Sequence, residues 1–186
     1  NGQNGNPKSK IDAFIKTMDN GVEKLADIAF FKFCYVDITE STDVADVFNY
    51  YEAAMNSLKK KYPNVLIIHA TVPLTTESEG LGIKVRIKDI IKKIIGRASR
   101  AEANTASNIK RNEFNALLIN EYGEKNIIDI AEYESTCPDG RDYLSKSAGA
   151  KHRSMVPAYT TDGGHLNGKG RLAVADKFIA KLAGIR

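Results

Sequence analysis

The chain predicts an α/β fold, a three-layer α/β/α sandwich around a parallel sheet, on three observations. Ile28–Val36, Val65–Val72 and Asn126–Ala131 read as strands, the first two being apolar runs of the kind buried on both faces. Between them lie segments whose apolar residues recur at helical spacing. Each link is long enough for a crossover helix, which makes successive strands parallel. The 186 residues, 42% hydrophobic and 27% charged, suit one globular domain, 1–186, with a sizeable core.

Taken in order, Asn4-Gly5-Asn6-Pro7 is a loop, and Ser9 with Asp12 reads as a capping box. Ile11, Phe14, Ile15, Met18, Val22 and Leu25 then form one apolar helical face. The first strand comes next and ends at Asp37. A second helix spans Val44 to Lys61, its lysines 59–61 favouring the negative end of the helix dipole, and Tyr62-Pro63-Asn64 stops it before the second strand. Thr75–Gly82 is a polar loop. Ile83–Arg100 fits a strand or a helix equally well and is the most basic part of the chain, which suggests a flap that packs conditionally on a neighbour or substrate. A firmer helix runs from Ser107 to Tyr122, with Gly123 as its stop, and leads to the third strand. Glu132 to Thr161 shows little periodicity and reads as a long, cleft-shaping loop. From Asn167, an N-cap, a terminal helix carries Leu172, Ala175, Phe178, Ile179 and Leu182 inward.

The net charge of +4 does not indicate nucleic acid, and no zinc-finger spacing or RNA-binding signature occurs. No apolar run approaches a membrane span. Two cysteines, Cys34 and Cys137, make no disulfide framework. Asn1–Lys10 is polar and lacks an initiating methionine, as a processed or trimmed chain would. The compartment is left open, export with removal of a signal being one expectation.

The chemistry concentrates in Thr160-Thr161-Asp162-Gly163-Gly164-His165-Leu166-Asn167-Gly168-Lys169-Gly170. Asp162 and His165 stand three residues apart across two glycines, so a tight turn brings a carboxylate and an imidazole into one pocket. An imidazole accepts a proton near neutral pH, and a carboxylate on its other nitrogen fixes the tautomer and stabilises the imidazolium. In open α/β sheets ligands bind beyond the carboxyl ends of the strands, so Asp37, Thr71 and this turn are expected to border one pocket.

This stretch resembles the last block of the SGNH/GDSL hydrolases, whose Asp-x-x-His supplies acid and base to a serine triad before the final helix. The resemblance implies an SGNH-hydrolase-like, flavodoxin-like sandwich and ester hydrolysis, with His165 as general base, Asp162 orienting it and no cofactor or metal. It implies a small-molecule or carbohydrate ester as substrate. It also places Gly5, Tyr35 and Asp37 at the oxyanion and substrate site, Gly5 matching a glycine that donates a backbone N–H. Two departures stand out. The family's nucleophile comes after its first strand, and no strand precedes Asn1-Gly2-Gln3-Asn4-Gly5 here, so the first strand and nucleophile loop are expected in an upstream segment of the same gene product. The family's third block, Gly-x-Asn-Asp, falls on Cys34-Tyr35-Val36-Asp37, so its asparagine is absent or replaced.

Ser41, Ser78, Ser135 and Ser154 lie in loops, without the strand-to-helix turn that presents an activated hydroxyl. Three hypotheses therefore stand: a serine esterase whose nucleophile lies outside this chain, a catalytically silent binding domain of the same fold, and a metal-dependent hydrolase using His69, Asp162 and His165. In the first two, His69 is a hydrogen-bonded strand residue.

Overall fold

The structure is a computed structural model that describes residues 2–21, 24–77 and 99–184. Its centre is a parallel sheet of three strands, β1 (Ile28–Phe31), β2 (Leu66–Ala70) and β3 (Ile127–Ile128), in the order β1-β2-β3. Ile28–Phe31 pair with Leu66–His69, and His69–Ala70 with Ile127–Ile128. Helices cover both faces, as the sequence predicts for an α/β sandwich. On one lie α1 (Pro7–Asp19), α2 (Val44–Lys61) and α3 (Arg100–Tyr122), where Ile11, Met18, Tyr51, Leu58, Phe114 and Leu118 pack with Ala29, Phe31 and Ile127. On the other lie α4 (Ile130–Ser135) and α5 (Gly168–Ala183), with Val174, Phe178 and Leu182 against Ile68, Ala70 and Ile128.

Several boundaries differ from expectation for local reasons. Asn6, not Ser9, caps α1 by accepting from the Ser9 N–H, and the helix ends at Asp19, leaving Leu25 outside it and exposed. The first strand stops at Phe31 because Tyr35–Asp37 curl into a 3-10 turn whose own Asp37 carboxylate accepts the Cys34 N–H. The third strand is two residues long, since Asp129 caps α4 by accepting from the Glu132 N–H. Helix α3 starts seven residues before Ser107, on a reciprocal capping box between Ser99 and Glu102.

Glu132–Thr161 is not a bare loop. It contains the end of α4, the antiparallel hairpin β4 (Leu144–Ser147) and β5 (Ala150–Arg153), and a 3-10 turn at Pro157–Tyr159. In α5, Leu172 and Ile179 face outward, 68% and 63% exposed, instead of inward. Val22, Ser78 and all of the expected flap except Ser99–Arg100 lie outside the described residues. No described helix is long and apolar enough to cross a membrane.

Candidate active site

The Asp162–His165 turn is held from three sides. Gly163 adopts φ +91°, a conformation that favours glycine, and its N–H donates to Thr160 Oγ1 at 2.9 Å. Its carbonyl accepts from the Thr76 N–H at 3.0 Å, which ties the turn to the loop after β2. Gly164 lies against the Tyr35 phenol so closely that a Cβ there would come within 2.7 Å of the ring. Downstream, Asn167 caps α5 by accepting from the Gly170 N–H, and Gly170 abuts the Tyr159 carbonyl, 2.5 Å from where a Cβ would stand.

Within that frame the two oxygens of Asp162 divide their work. Oδ1 accepts the backbone N–H groups of His165 (2.8 Å) and Gly164 (2.9 Å), while Oδ2 meets His165 Nδ1 at 2.7 Å. Burial opposes ionisation of Asp162, but the N–H groups of His165 and Gly164, then the imidazole, outweigh it and hold the carboxyl well below the usual carboxylate range. An ionised Asp162 can only accept, so Nδ1 is the donor, and in the neutral imidazole the lone pair is then on Nε2. The imidazole is 73% exposed and meets the Tyr35 ring edge-on, centroids 5.5 Å apart. The carboxylate thus fixes the tautomer of the neutral imidazole, and among the described residues nothing bonds to Nε2, which lies on an open surface.

Tyr35 is set by a residue that no feature of the sequence singles out. Arg111, buried on α3, donates from Nε to the carbonyls of Tyr35 and Ile38, each at 3.0 Å, and from Nη1 to Thr75 Oγ1 and Asn108 Oδ1. Its guanidinium carbon stands 5.6 Å from the Tyr35 ring centroid. Burial lowers the guanidinium pKa to about 10, the charges near Tyr35, Cys34, Glu134 and Glu40 acting the other way. No motif announces such a residue; a lone arginine in a helical pattern reads as surface.

The other expected residues have partners of their own. Asp37 is buried and accepts from Gly5 N–H (2.9 Å), Cys34 N–H (2.7 Å) and Lys10 Nζ (2.7 Å). The Gly5 N–H is thereby directed to a carboxylate and not to an open oxyanion position, a correction to the role matched from sequence. Gly5 and Asp37 join the first loop to the end of β1. Thr71 is buried and bonded to Asp129 and the Ala131 N–H, so it serves α4 and not the turn. His69 bonds through Nδ1 to Tyr51 Oη at 2.7 Å and stacks on Tyr122, and burial lowers its pKa to about 4. Among the described residues no cluster of His, Cys, Asp and Glu could hold a metal. Ser41 bonds to Thr39, Ser135 to the Glu132 carbonyl and Ser154 to Ser145; none of them bonds to His165.

No protein-family model matches the chain, and no curated protein does. Among solved structures it is similar to a protein from Streptococcus pneumonia assigned provisionally as a platelet activating factor, with a TM-score of 0.53 and 18% identity over 94% of this chain and 69% of that one. At this identity the likeness shows the fold alone, and that fold is an α/β sandwich.

Proposed function

We propose that the chain is the acid-and-base portion of an SGNH-type serine ester hydrolase, its nucleophile lying in chain upstream of residue 1. The observation that carries this reading is the 2.7 Å bond from His165 Nδ1 to an Asp162 carboxylate already fixed by two backbone N–H groups. In it, Nε2 takes the proton of a serine hydroxyl as the oxygen attacks the ester carbonyl, and Asp162 stabilises the imidazolium. His165 then returns that proton to the departing alcohol, and a water repeats the sequence to release the acid. Tyr35, beside the imidazole, is the substrate-facing residue of this reading, and a small or carbohydrate acyl ester is the substrate class.

Hydrolysis of p-nitrophenyl acetate tests it, using the 186-residue chain, the chain extended upstream by its own coding sequence, and the extended His165→Ala protein. The short chain is expected to be inactive, because members of a triad act as a unit. The extended protein should gain activity. His165→Ala should remove about 10³-fold or more of it, and Asp162→Asn about 10²-fold or more through loss of tautomer control. Equal rates for the extended protein and its His165→Ala variant would end this reading. The second reading, a silent binding domain, is favoured by the absence of any described serine bonded to His165, and it expects no rate from any of the three proteins.

A further inference from the structure

Away from the Asp162–His165 turn, a cavity of about 430 Å³ lies between α3, β3, α4 and the later part of α5, with Arg153 of β5 in its wall. Five charged side chains line it: Glu124, Asp129, Glu132, Arg153 and Lys181. Among the described residues none of the five belongs to an ion pair. Charges of both signs therefore face one space without neutralising each other.

Arg153 is the most exacting of them. Its backbone is fixed by Asn112 of α3, which accepts from the Arg153 N–H at 3.2 Å and donates to its carbonyl at 2.9 Å. Its guanidinium has no such provision, since Nη1 is buried and among the described residues meets no hydrogen-bond partner. A desolvated cationic donor left unmet is destabilising, and an acceptor brought to it recovers that loss. The planar fork of a guanidinium is matched best by a carboxylate or a phosphate.

The α4 side of the cavity has the opposite need. Asp129 uses Oδ1 for Thr71 and for the Glu132 N–H, while its Oδ2 and the Glu132 carboxylate accept from nothing among the described residues. Both charges stand near Tyr133, whose phenol is raised above its usual range first by burial and then by Glu132 and Asp129. Lys181 does not serve them, because its ammonium donates to the Glu124 carbonyl at 2.8 Å. A simple anion on Arg153 would face these carboxylates, and a simple cation beside them would face Arg153. One small molecule with a charge of each sign satisfies both, and Ala116, Ile119, Ile127 and Ala131 add apolar lining for its uncharged part.

We propose that this cavity binds a free α-amino acid with an apolar side chain, its carboxylate on Arg153, its ammonium on Glu132 and Asp129, and its side chain against Ile119 and Ile127. The site goes beyond the hydrolase reading and does not depend on it.

Isothermal titration calorimetry of the 186-residue chain with L-leucine tests the site. Two matched probes accompany it: 4-methylpentanoate, which is leucine without its ammonium, and 3-methylbutylamine, which is leucine without its carboxylate. Leucine is expected to bind one to one with a Kd of about 1 mM or tighter, and each probe about tenfold or more weaker, since each leaves one charged group unmet. Arg153→Met should remove the preference for leucine over 3-methylbutylamine, and Glu132→Gln should narrow the preference for leucine over 4-methylpentanoate. No binding of leucine at about 10 mM overturns the proposal. So does 4-methylpentanoate or 3-methylbutylamine binding as tightly as leucine, which would make the cavity a plain anion or cation site. Should Arg153→Met fail to fold, the three ligands on the unaltered chain decide the question by themselves. None of these readings involves ester hydrolysis, so their failure leaves the hydrolase reading standing, and an inactive extended protein leaves this site standing.

Discussion

At the scale of single residues, geometry in this chain is set by what glycine permits and by which charges are buried. Gly164→Ala would drive the Tyr35 ring from its place beside His165, while leaving the hydrogen bonds of the turn intact. In the extended protein it should lower kcat by about tenfold or more with a Tm change of under about 3 °C, measurable in one assay and one melt. Glu134 offers a separate test. It is buried beneath the loop after β2, and burial raises its pKa to about 8, opposed by its bond to the Leu74 N–H and by the charges of Lys32 and Arg111. Between its ordinary 4.5 and about 8, the folded chain keeps a proton that the unfolded chain has lost, so stability falls as pH rises. His69 acts oppositely between about 4 and its ordinary 6.5, where the unfolded chain holds the extra proton and stability rises with pH. The two oppose each other below 6.5, leaving Glu134 alone above it. The Tm should therefore fall by about 4–8 °C between pH 6.5 and 8, and Glu134→Gln should flatten that slope. An unchanged slope in the variant would remove Glu134 as its cause.

At the scale of elements, what was legible in the sequence followed periodicity and capping, and what was hidden depended on contacts. Helix α2 matched to the residue because its lysine-rich end and the Tyr62-Pro63-Asn64 stop are readable, and the structure adds Asp43, which caps its start by accepting from the Asp46 N–H. The sheet's parallel order was likewise readable from its crossovers. The strands were overestimated, since an apolar run such as Phe33-Cys34-Tyr35-Val36 looks extended until a carboxylate three residues on captures its N–H. The hairpin β4–β5 was missed because Leu144, Ser145, Lys146 and Ser147 bury little and are held by pairing and by the Ser145–Ser154 bond. At the site, Asp162 and His165 were visible as a motif, whereas Arg111 and Thr76 act through backbone atoms and leave no spacing to read. Where α5 meets the Pro157–Tyr159 turn, the fit is backbone against backbone. Gly170→Ala would place a Cβ 2.5 Å from the Tyr159 carbonyl and should cost about 1–3 kcal/mol, seen as a loss in a denaturant midpoint at unchanged m.

Across the whole molecule, the candidate chemistry and the aromatic cluster of His69, Tyr51 and Tyr122 involve separate sets of partners. The turn at 160–165 joins the loop after β2, the 3-10 turn after β1 and the head of α5, beyond the carboxyl ends of the parallel strands. Arg111 bridges two parts of that assembly, the loop after β2 and the turn after β1. It carries a charge yet donates to neutral acceptors on three segments, and a methionine of similar volume would avoid the desolvation of a cation.

The consequence lies in how this end of the molecule opens. Segments clasped by one guanidinium cannot loosen singly, so the amides of Asp37, Thr75, Thr76 and Gly163 should exchange in one cooperative event, with opening free energies within about 0.5 kcal/mol of one another. Arg111→Met should dissolve that unit, letting the Thr75–Thr76 loop breathe well before the turn after β1, and should lower the melting temperature as well, because the buried Tyr35 and Ile38 carbonyls lose its donor. The melt would record only the sum of that loss, whereas the exchange pattern would record the lost unison of the region.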